Sequence, residues 1–186
     1  MRLAKLIPLV AVGLAAVLAY PLWRVAARTR SDRQVATCRA NLAALASALE
    51  MYCQEHDGLL PPADRWSDAV LPYVSGGKNS FVCPAAQNQT CSYAMNRGAG
   101  GSRPSTVSNR NSFIVLFESD AGWNASGGPE LLPSFPRHFG GYDSAVSGSL
   151  SGLVCVRDYQ LAGSRRQWRK AFRGDRAWAP ESSKAR

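Results

Sequence analysis

The sequence predicts an α+β chain in which one long N-terminal helix packs on a small antiparallel β-sheet. Three observations predict it. Residues 6–23 form an apolar run without a charge, and a helical stripe follows directly from Val35 to His56. Beyond them, the continuous apolar run Ser112 to Glu118 is followed by two shorter β-like runs. A helix with one apolar stripe needs a cover, and a sheet supplied by the later strands is the simplest one.

The first run, Leu6 to Trp23, spans roughly 27 Å at helical rise, near the thickness of a bilayer core. Arg2 and Lys5 precede it; Arg24, Arg28, Arg30 and Arg33 follow it. Pro8 lies in the first turn, Pro21 at the far end, and Tyr20 with Trp23 suits an interface. The run is therefore expected to cross a membrane, with residues 1–5 on the cytoplasmic side. A cleaved signal peptide is the rival, since Val17-Leu18-Ala19 resembles a small-residue cleavage site. More basic residues follow the run than precede it, which by charge alone favours the opposite topology.

In the second stretch Val35, Cys38, Leu42, Leu45, Leu49, Tyr52 and His56 follow steps of three and four. They share one face of a helix. Gly58, Pro61 and Pro62 end it. The pattern barely reaches three heptads, so packing within its own domain is favoured over a coiled coil.

After the helix, Trp66 to Val74 reads as a short helix with Trp66 and Val70 on one face. Ser75 to Asn79 is a loop, Phe81 to Pro84 is extended, and Ser92 to Met95 reads as a strand. Gly98 to Asn111, rich in Gly, Ser, Arg and Asn, reads as an exposed loop. Ser112 to Glu118 is the clearest strand, expected to be central and covered on at least one face because Phe113 to Phe117 form a continuous apolar run. Ala121 to Pro136 is a loop. Tyr142 to Val146 and Leu153 to Val156 read as a hairpin across Ser147 to Gly152. The folded domain is thus expected over 24–156, with 157–186 as a basic tail, partly disordered. Trp168 and Phe172 give that tail one face suited to a membrane surface.

The net charge of +9 on 186 residues is unevenly placed. Residues 1–33 carry six basic and one acidic residue, residues 157–186 nine and three, and residues 34–156 seven and nine. The basicity belongs to the ends. A nucleic-acid-binding core would carry it on the folded domain, whereas basic ends suit anionic lipid or another anionic polymer.

Five cysteines, Cys38, Cys53, Cys83, Cys91 and Cys155, permit two bridges at most. Cys83 and Cys91 enclose a short polar loop and form the best pair. Cys38 and Cys53 share a helix about 22 Å apart along its axis and cannot pair with each other. Without a Cys-x-x-Cys and with two histidines, the spacings do not match a zinc site.

The polar candidates are His56, Asp57, Glu118, Asp120, His138 and Asp143. Glu118, Asp120 and Asp143 with loop carbonyls are the weak candidates for a Ca²⁺ site. No Gly-x-Ser-x-Gly or His-Glu-x-x-His occurs, and Gly98 to Gly101 is not followed by the Lys-Ser/Thr of a phosphate loop. His138, beside Gly140 and Gly141, reads as a structural residue whose ring bonds backbone before the hairpin. Glu118 reads as a loop cap or a partner of Arg137. Trp66 is simplest as core, although Trp66, Trp123 and Tyr142 could also form a binding surface. No catalytic residue, metal or cofactor is expected.

One ordered series remains. It runs Cys38-Arg39-Ala40-Asn41-Leu42, Tyr52, His56-Asp57-Gly58, Pro61, Trp66, Leu71-Pro72-Tyr73-Val74, Phe81-Val82-Cys83-Pro84 and Ser92-Tyr93-Ala94-Met95-Asn96. It continues through the strand ending at Glu118 to Arg137-His138-Phe139-Gly140-Gly141. Over residues 1–156 this resembles the prepilin-like (pseudopilin-like) proteins with a C-terminal H-X9-DG region, related to the major pseudopilins of type II secretion. The resemblance implies a type IV pilin-like fold and a single-pass protein of the bacterial cytoplasmic membrane with its domain outside. It further implies a non-enzymatic structural or assembly role and, as partners, other pilin-like subunits or secretion-system proteins. The alternative is an exported binding module on the same fold, for an envelope polymer, DNA or a protein. Two departures stand out. The peptidase site of the family is a Gly before an aromatic residue or Met, with Glu five residues into the mature helix. Here Gly13 precedes Leu14, and Leu18 stands at the Glu position. Ten residues on from His138, Gly148-Ser149 stands where the family has Asp-Gly; Gly148 keeps a permissive turn residue and the carboxylate is lost.

Overall fold

The computed structural model describes residues 3–86, 88–106, 113–133, 137–138, 142–147 and 155–160. For 3–16, 18, 106, 142–147 and 155–160 it describes the backbone alone. Gly140, Gly141, Gly148 and residues 161–186 of the expected tail lie outside the described residues, as do the side chains of Asp143 and Cys155.

Helix α1 runs without interruption from Leu3 to Glu55, about 80 Å at helical rise. From Cys38 to Leu49 its buried face is the expected stripe: Cys38, Leu42, Leu45 and Leu49, widened by Ala46 and Ala48. Val35 and Tyr52 are half-buried. His56 departs from the stripe. It lies one residue beyond the helix and is exposed, its ring stacked on Tyr52 with centroids 3.7 Å apart. The helix stops because Asp57 and Gly58 take left-handed φ values of 53° and 76°. Gly58 N–H then donates back to the Cys53 carbonyl at 2.7 Å, satisfying one of the orphaned carbonyls of the last turn.

The other half of α1 is different. Val17, Tyr20, Leu22, Trp23 and Val25 are all exposed. Among the described residues no helix is long and apolar enough to cross a membrane. Most side chains of the expected span, 6–16 and Leu18, lie outside those residues.

The expected helix at 66–74 is split. Helix α2 covers Trp66–Val70, and a 3₁₀ turn covers Leu71–Tyr73, where Pro72 removes an amide donor. The sheet contains β1 (Tyr93–Asn96), β2 (Ile114–Glu118), β3 (Ser126–Gly127), β4 (Tyr142–Ser147) and β5 (Cys155–Gln160), in the order β3-β1-β2-β4-β5. The continuous apolar run is central, as expected: β2 pairs with β1 on one side and β4 on the other, both antiparallel, and is buried at every position.

Three expectations are corrected. The sheet is not purely antiparallel, because β3, within the expected loop 121–136, pairs parallel to β1. The hairpin is longer than its apolar pattern: Tyr142 pairs with Gln160 and Ser147 with Cys155. Arg157 to Gln160 therefore belong to the sheet and not to the tail. Finally, the turn after β1 is not wholly exposed. Ala99 is fully buried, and Leu60 N–H donates to Ser102 O at 2.9 Å while Gly101 N–H donates to Pro61 O at 3.1 Å.

The core lies between the stripe of α1 and the inner side chains of the sheet. Leu42, Leu45 and Leu49 share it with Tyr93, Met95, Phe113 and Val115. Trp66 caps one end, fully buried as expected, with its indole N–H on Ala125 O at 3.0 Å. Its ring lies 5.8 Å from Phe81, which in turn lies 4.7 Å from half-buried Trp123. Trp123 donates to Asp68 at 2.8 Å, fastening the loop before β3 to α2.

Candidate functional site

Four chemistry-bearing side chains meet under the sheet. Cys38 comes from the stripe of α1. Cys83 follows the 3₁₀ turn Gly77–Phe81, Glu118 ends β2, and His138 follows the loop after β3. Their ligating atoms all lie within 4.8 Å of one another, and every residue is buried. Cys38, Cys83 and Glu118 are at most 1% exposed and His138 is 3% exposed, so the cluster is closed to solvent.

The backbone brings them together in identifiable ways. Pairing of β1 with β2 sets Tyr93 opposite Glu118. Cys83 N–H donates to Ser92 Oγ at 3.0 Å, and Asn41 of α1 donates to Val82 O at 2.9 Å, which ties the Cys83 segment to both sheet and helix. Arg137 then fixes the approach of His138. Its guanidinium donates to Ser92 O at 2.9 Å, to Ser119 O, and to Asp120 Oδ1 at 2.6 Å.

Within the cluster the Cys38 thiol donates to Glu118 Oε1 at 2.8 Å and lies 3.2 Å from the Tyr93 hydroxyl. His138 Nε2 is 3.3 Å from the same carboxylate oxygen and 3.7 Å from Cys83 Sγ. Glu118 Oε2 and His138 Nδ1 are buried without a hydrogen-bond partner among the described residues, although Arg137 stands 4.0 Å from Oε2.

The electrostatics follow from this packing. The Cys38 thiol beside it, and then the His138 ring, hold the Cys83 thiol down to about 5 against the opposing effect of burial. Burial pushes the His138 ring down, but Cys83 and Glu118 outweigh it and lift the ring to about 10. Glu118 is raised by burial and lowered by His138 and Cys38, and the lowering wins. The hydrogen bond with Cys83, reinforced by burial and by Glu118, raises Cys38 far above an ordinary thiol. Both shifts run in the direction that favours the charged forms, thiolate at Cys83 and imidazolium at His138.

A thiolate beside an imidazolium and a carboxylate is also the chemistry of a cysteine nucleophile. Burial argues against that use, because a nucleophile must reach its substrate. A groove of about 560 Å³ between α1 and Pro84 is lined by Ala26, Thr29, Arg30, Arg33, Gln34, Thr37 and Pro84, and none of the four side chains opens into it. Two thiols, an imidazole and a carboxylate are, in contrast, a ligand set for a thiophilic metal.

Several sequence expectations change here. Cys83 and Cys91 do not form a disulfide; both are free, with Cys38 and Cys53. Although close in sequence, their thiols turn apart: Cys83 Sγ faces His138, and Cys91 Sγ donates to Tyr93 O at 3.2 Å. His138 bonds a carboxylate through its ring rather than backbone. The expected Glu118–Arg137 pairing is present at 4.0 Å. Of the weak Ca²⁺ candidates, Glu118 and Asp120 are not free to share an ion: Arg137 pairs with both, and Asp120 also accepts from Gln89, while the side chain of Asp143 lies outside the described residues. The spacing argument missed the four-residue cluster because each residue comes from a different segment. The available signal was compositional. Cys38 sits on an apolar stripe and Glu118 ends an apolar strand, so both polar groups had to be buried and partnered.

No family model, curated protein or solved structure matches this chain.

Proposed function

We propose that this chain is a membrane-anchored, non-enzymatic structural or assembly subunit of a bacterial envelope secretion or filament system, on a type IV pilin-like plan. Residues 6–23 are the anchor, and the domain lies outside the cytoplasmic membrane. The observation that carries the reading is the division of α1, in which a single unbroken helix is sheathed by a sheet along one half and, at its described side chains from Val17 to Arg30, largely bare before it. Water is a poor environment for the bare half. Pro21 in a helix interior costs about 3 kcal/mol, and Leu22 and Trp23 remain largely exposed within the described residues. A bilayer favours a continuous helix there, because the backbone must satisfy its own hydrogen bonds. The arginine collar supports the same placement: Arg24, with its guanidinium over Tyr20 at 5.9 Å, and then Arg28, Arg30 and Arg33 suit lipid headgroups. Burial of the Cys83–His138 pair supports a non-enzymatic role.

The reading is tested by the intact mass of the protein recovered from membranes, beside high-salt and carbonate washes. Full-length mass in the washed pellet is expected, since Gly13-Leu14 lacks the residues of a prepilin peptidase site. Loss of about 19 to 27 N-terminal residues with the domain in the soluble fraction, as signal-peptide removal would give, overturns the anchor. It would favour an exported binding module on the same fold.

A further inference from the structure

We propose that Cys38, Cys83, Glu118 and His138 bind one thiophilic divalent metal ion, Zn²⁺ by ligand chemistry, which staples α1 to the sheet. The inference does not depend on whether the helix enters a membrane.

Geometry comes first. Zn–S bonds of about 2.3 Å and Zn–N or Zn–O bonds of about 2.0–2.2 Å place neighbouring ligand atoms of a tetrahedron about 3.3–3.8 Å apart. The His138 Nε2–Glu118 Oε1 and Cys83 Sγ–His138 Nε2 separations, 3.3 and 3.7 Å, are already edges of that size. The Cys38 Sγ–Glu118 Oε1 edge, 2.8 Å, is a hydrogen bond that must open by about 0.8 Å when the thiol proton leaves. All four atoms lie within 4.8 Å of one another, so the longest separation must close by no more than about 1 Å to reach a tetrahedral edge.

Burial is the second argument. Charged groups removed from water are stable when paired or when they coordinate a metal. Cys38 Sγ and His138 Nε2 both converge on Glu118 Oε1, at 2.8 and 3.3 Å. A metal is bound by deprotonated thiols, a neutral imidazole nitrogen and a carboxylate. Two thiolates and one carboxylate around a divalent ion leave one negative charge over. Arg137, 4.0 Å from Glu118, remains to balance the third anion.

The identity of the ion follows from the donors. Two sulfurs and an imidazole are wrong for the hard, oxygen-seeking Ca²⁺ and right for Zn²⁺. Four protein ligands in a closed pocket leave no open position for water or substrate, which is the pattern of a structural site. Its effect would be to join four segments separated by long stretches of chain.

The experiment uses the full-length protein purified in detergent with a phosphine reductant, stripped with chelator and reloaded with Zn²⁺ or Co²⁺. We expect one metal per chain by elemental analysis, an upward shift in melting temperature, and the thiolate-to-Co²⁺ charge-transfer and strong d–d absorption of a tetrahedral site. Cys38→Ser and Cys83→Ser should lose the metal, and Cys53→Ser should keep it. Folded wild-type protein that takes up neither ion, or gives an octahedral Co²⁺ spectrum, overturns the proposal. So does a Cys38–Cys83 disulfide found in unreduced protein taken directly from cells, because the thiols would then be consumed as a cross-link. The wild-type spectrum decides the matter even if a serine variant fails to fold.

Discussion

The two halves of α1 share one backbone and live in different surroundings. Leu22 and Trp23 are 72% and 65% exposed, whereas Leu42 and Leu45 are fully buried. Ala and Leu recur in both, but residues 6–23 carry no charge whereas residues 30–55 mix an apolar stripe with charged and polar residues. The halves also differ in whether another element covers the described face. From Cys38 onward, β1, β2 and the Phe81–Cys83 segment lie against the helix. The changeover begins near Ser31, which is buried, and Gln34, which donates to Pro84 O at 3.3 Å. A helix can therefore be stable for two unrelated reasons along one length, and each half should respond differently to the same change.

The largest response is expected in the covered half. Leu45→Ala removes a fully buried side chain facing the sheet. Such truncations cost the transfer energy of the lost methyl groups plus the cavity left behind, and about 3 kcal/mol is expected here. Urea unfolding followed by circular dichroism would show it as a lower midpoint with an unchanged slope. A loss below about 0.5 kcal/mol, the level of a neutral surface change, would mean that the stripe is not the core.

A chemical comparison sharpens the contrast. Burial, with a smaller contribution from Glu50, raises the half-buried Cys53 thiol from 9.0 to about 11. A raised thiol favours the neutral form. Its contribution to stability is therefore complete below about pH 9 and is lost as pH rises through about 11. At pH 8 the thiolate fraction, and with it the rate of alkylation, should fall about 100-fold relative to an ordinary thiol. In a Val25→Cys variant the new thiol sits on the exposed half, so iodoacetamide should modify it about 100-fold faster than Cys53, as read by peptide mass spectrometry. Equal rates would erase the distinction in environment.

The same contrast explains what could be read from sequence. The stripe at Val35, Cys38, Leu42, Leu45 and Leu49 was legible because its period is local and unbroken. Strand β2 was legible because Ile114 to Phe117 are four consecutive apolar residues, the pattern of a strand covered on both faces. Strand β3 was not: Ser126 and Gly127 carry no apolar pattern, and their pairing is set by β1, whose Met95 N–H donates to Ala125 O at 2.9 Å. The hairpin was legible in place and not in extent, since Arg157, Asp158 and Gln160 are polar residues held in β5 by the ladder to β4. For the buried cluster, sequence offered the residues without the assembly. Cys83 and Cys91 are near in the chain and point apart, whereas Cys38 and Cys83 are distant in the chain and converge. Sequence proximity fixes where backbones pass, and the direction of Cβ decides which thiols meet.

The smallest expected effect tests the bare half directly. Leu22→Ala removes as much side chain as Leu45→Ala from the same helix, and Ala is at least as good a helix former as Leu. With Leu22 largely exposed and no cavity to create, domain stability in detergent should change by no more than about 0.5 kcal/mol. Measured under the same urea conditions, the pair becomes an internal control, with one residue type, one helix and two environments. A loss near that of Leu45→Ala would show that the bare half is packed within the domain by residues outside those described. An unchanged domain whose Leu22→Ala variant washes more readily from membranes in carbonate would assign the apolar face of that half to lipid, where the missing methyl groups cost membrane affinity and leave the fold intact.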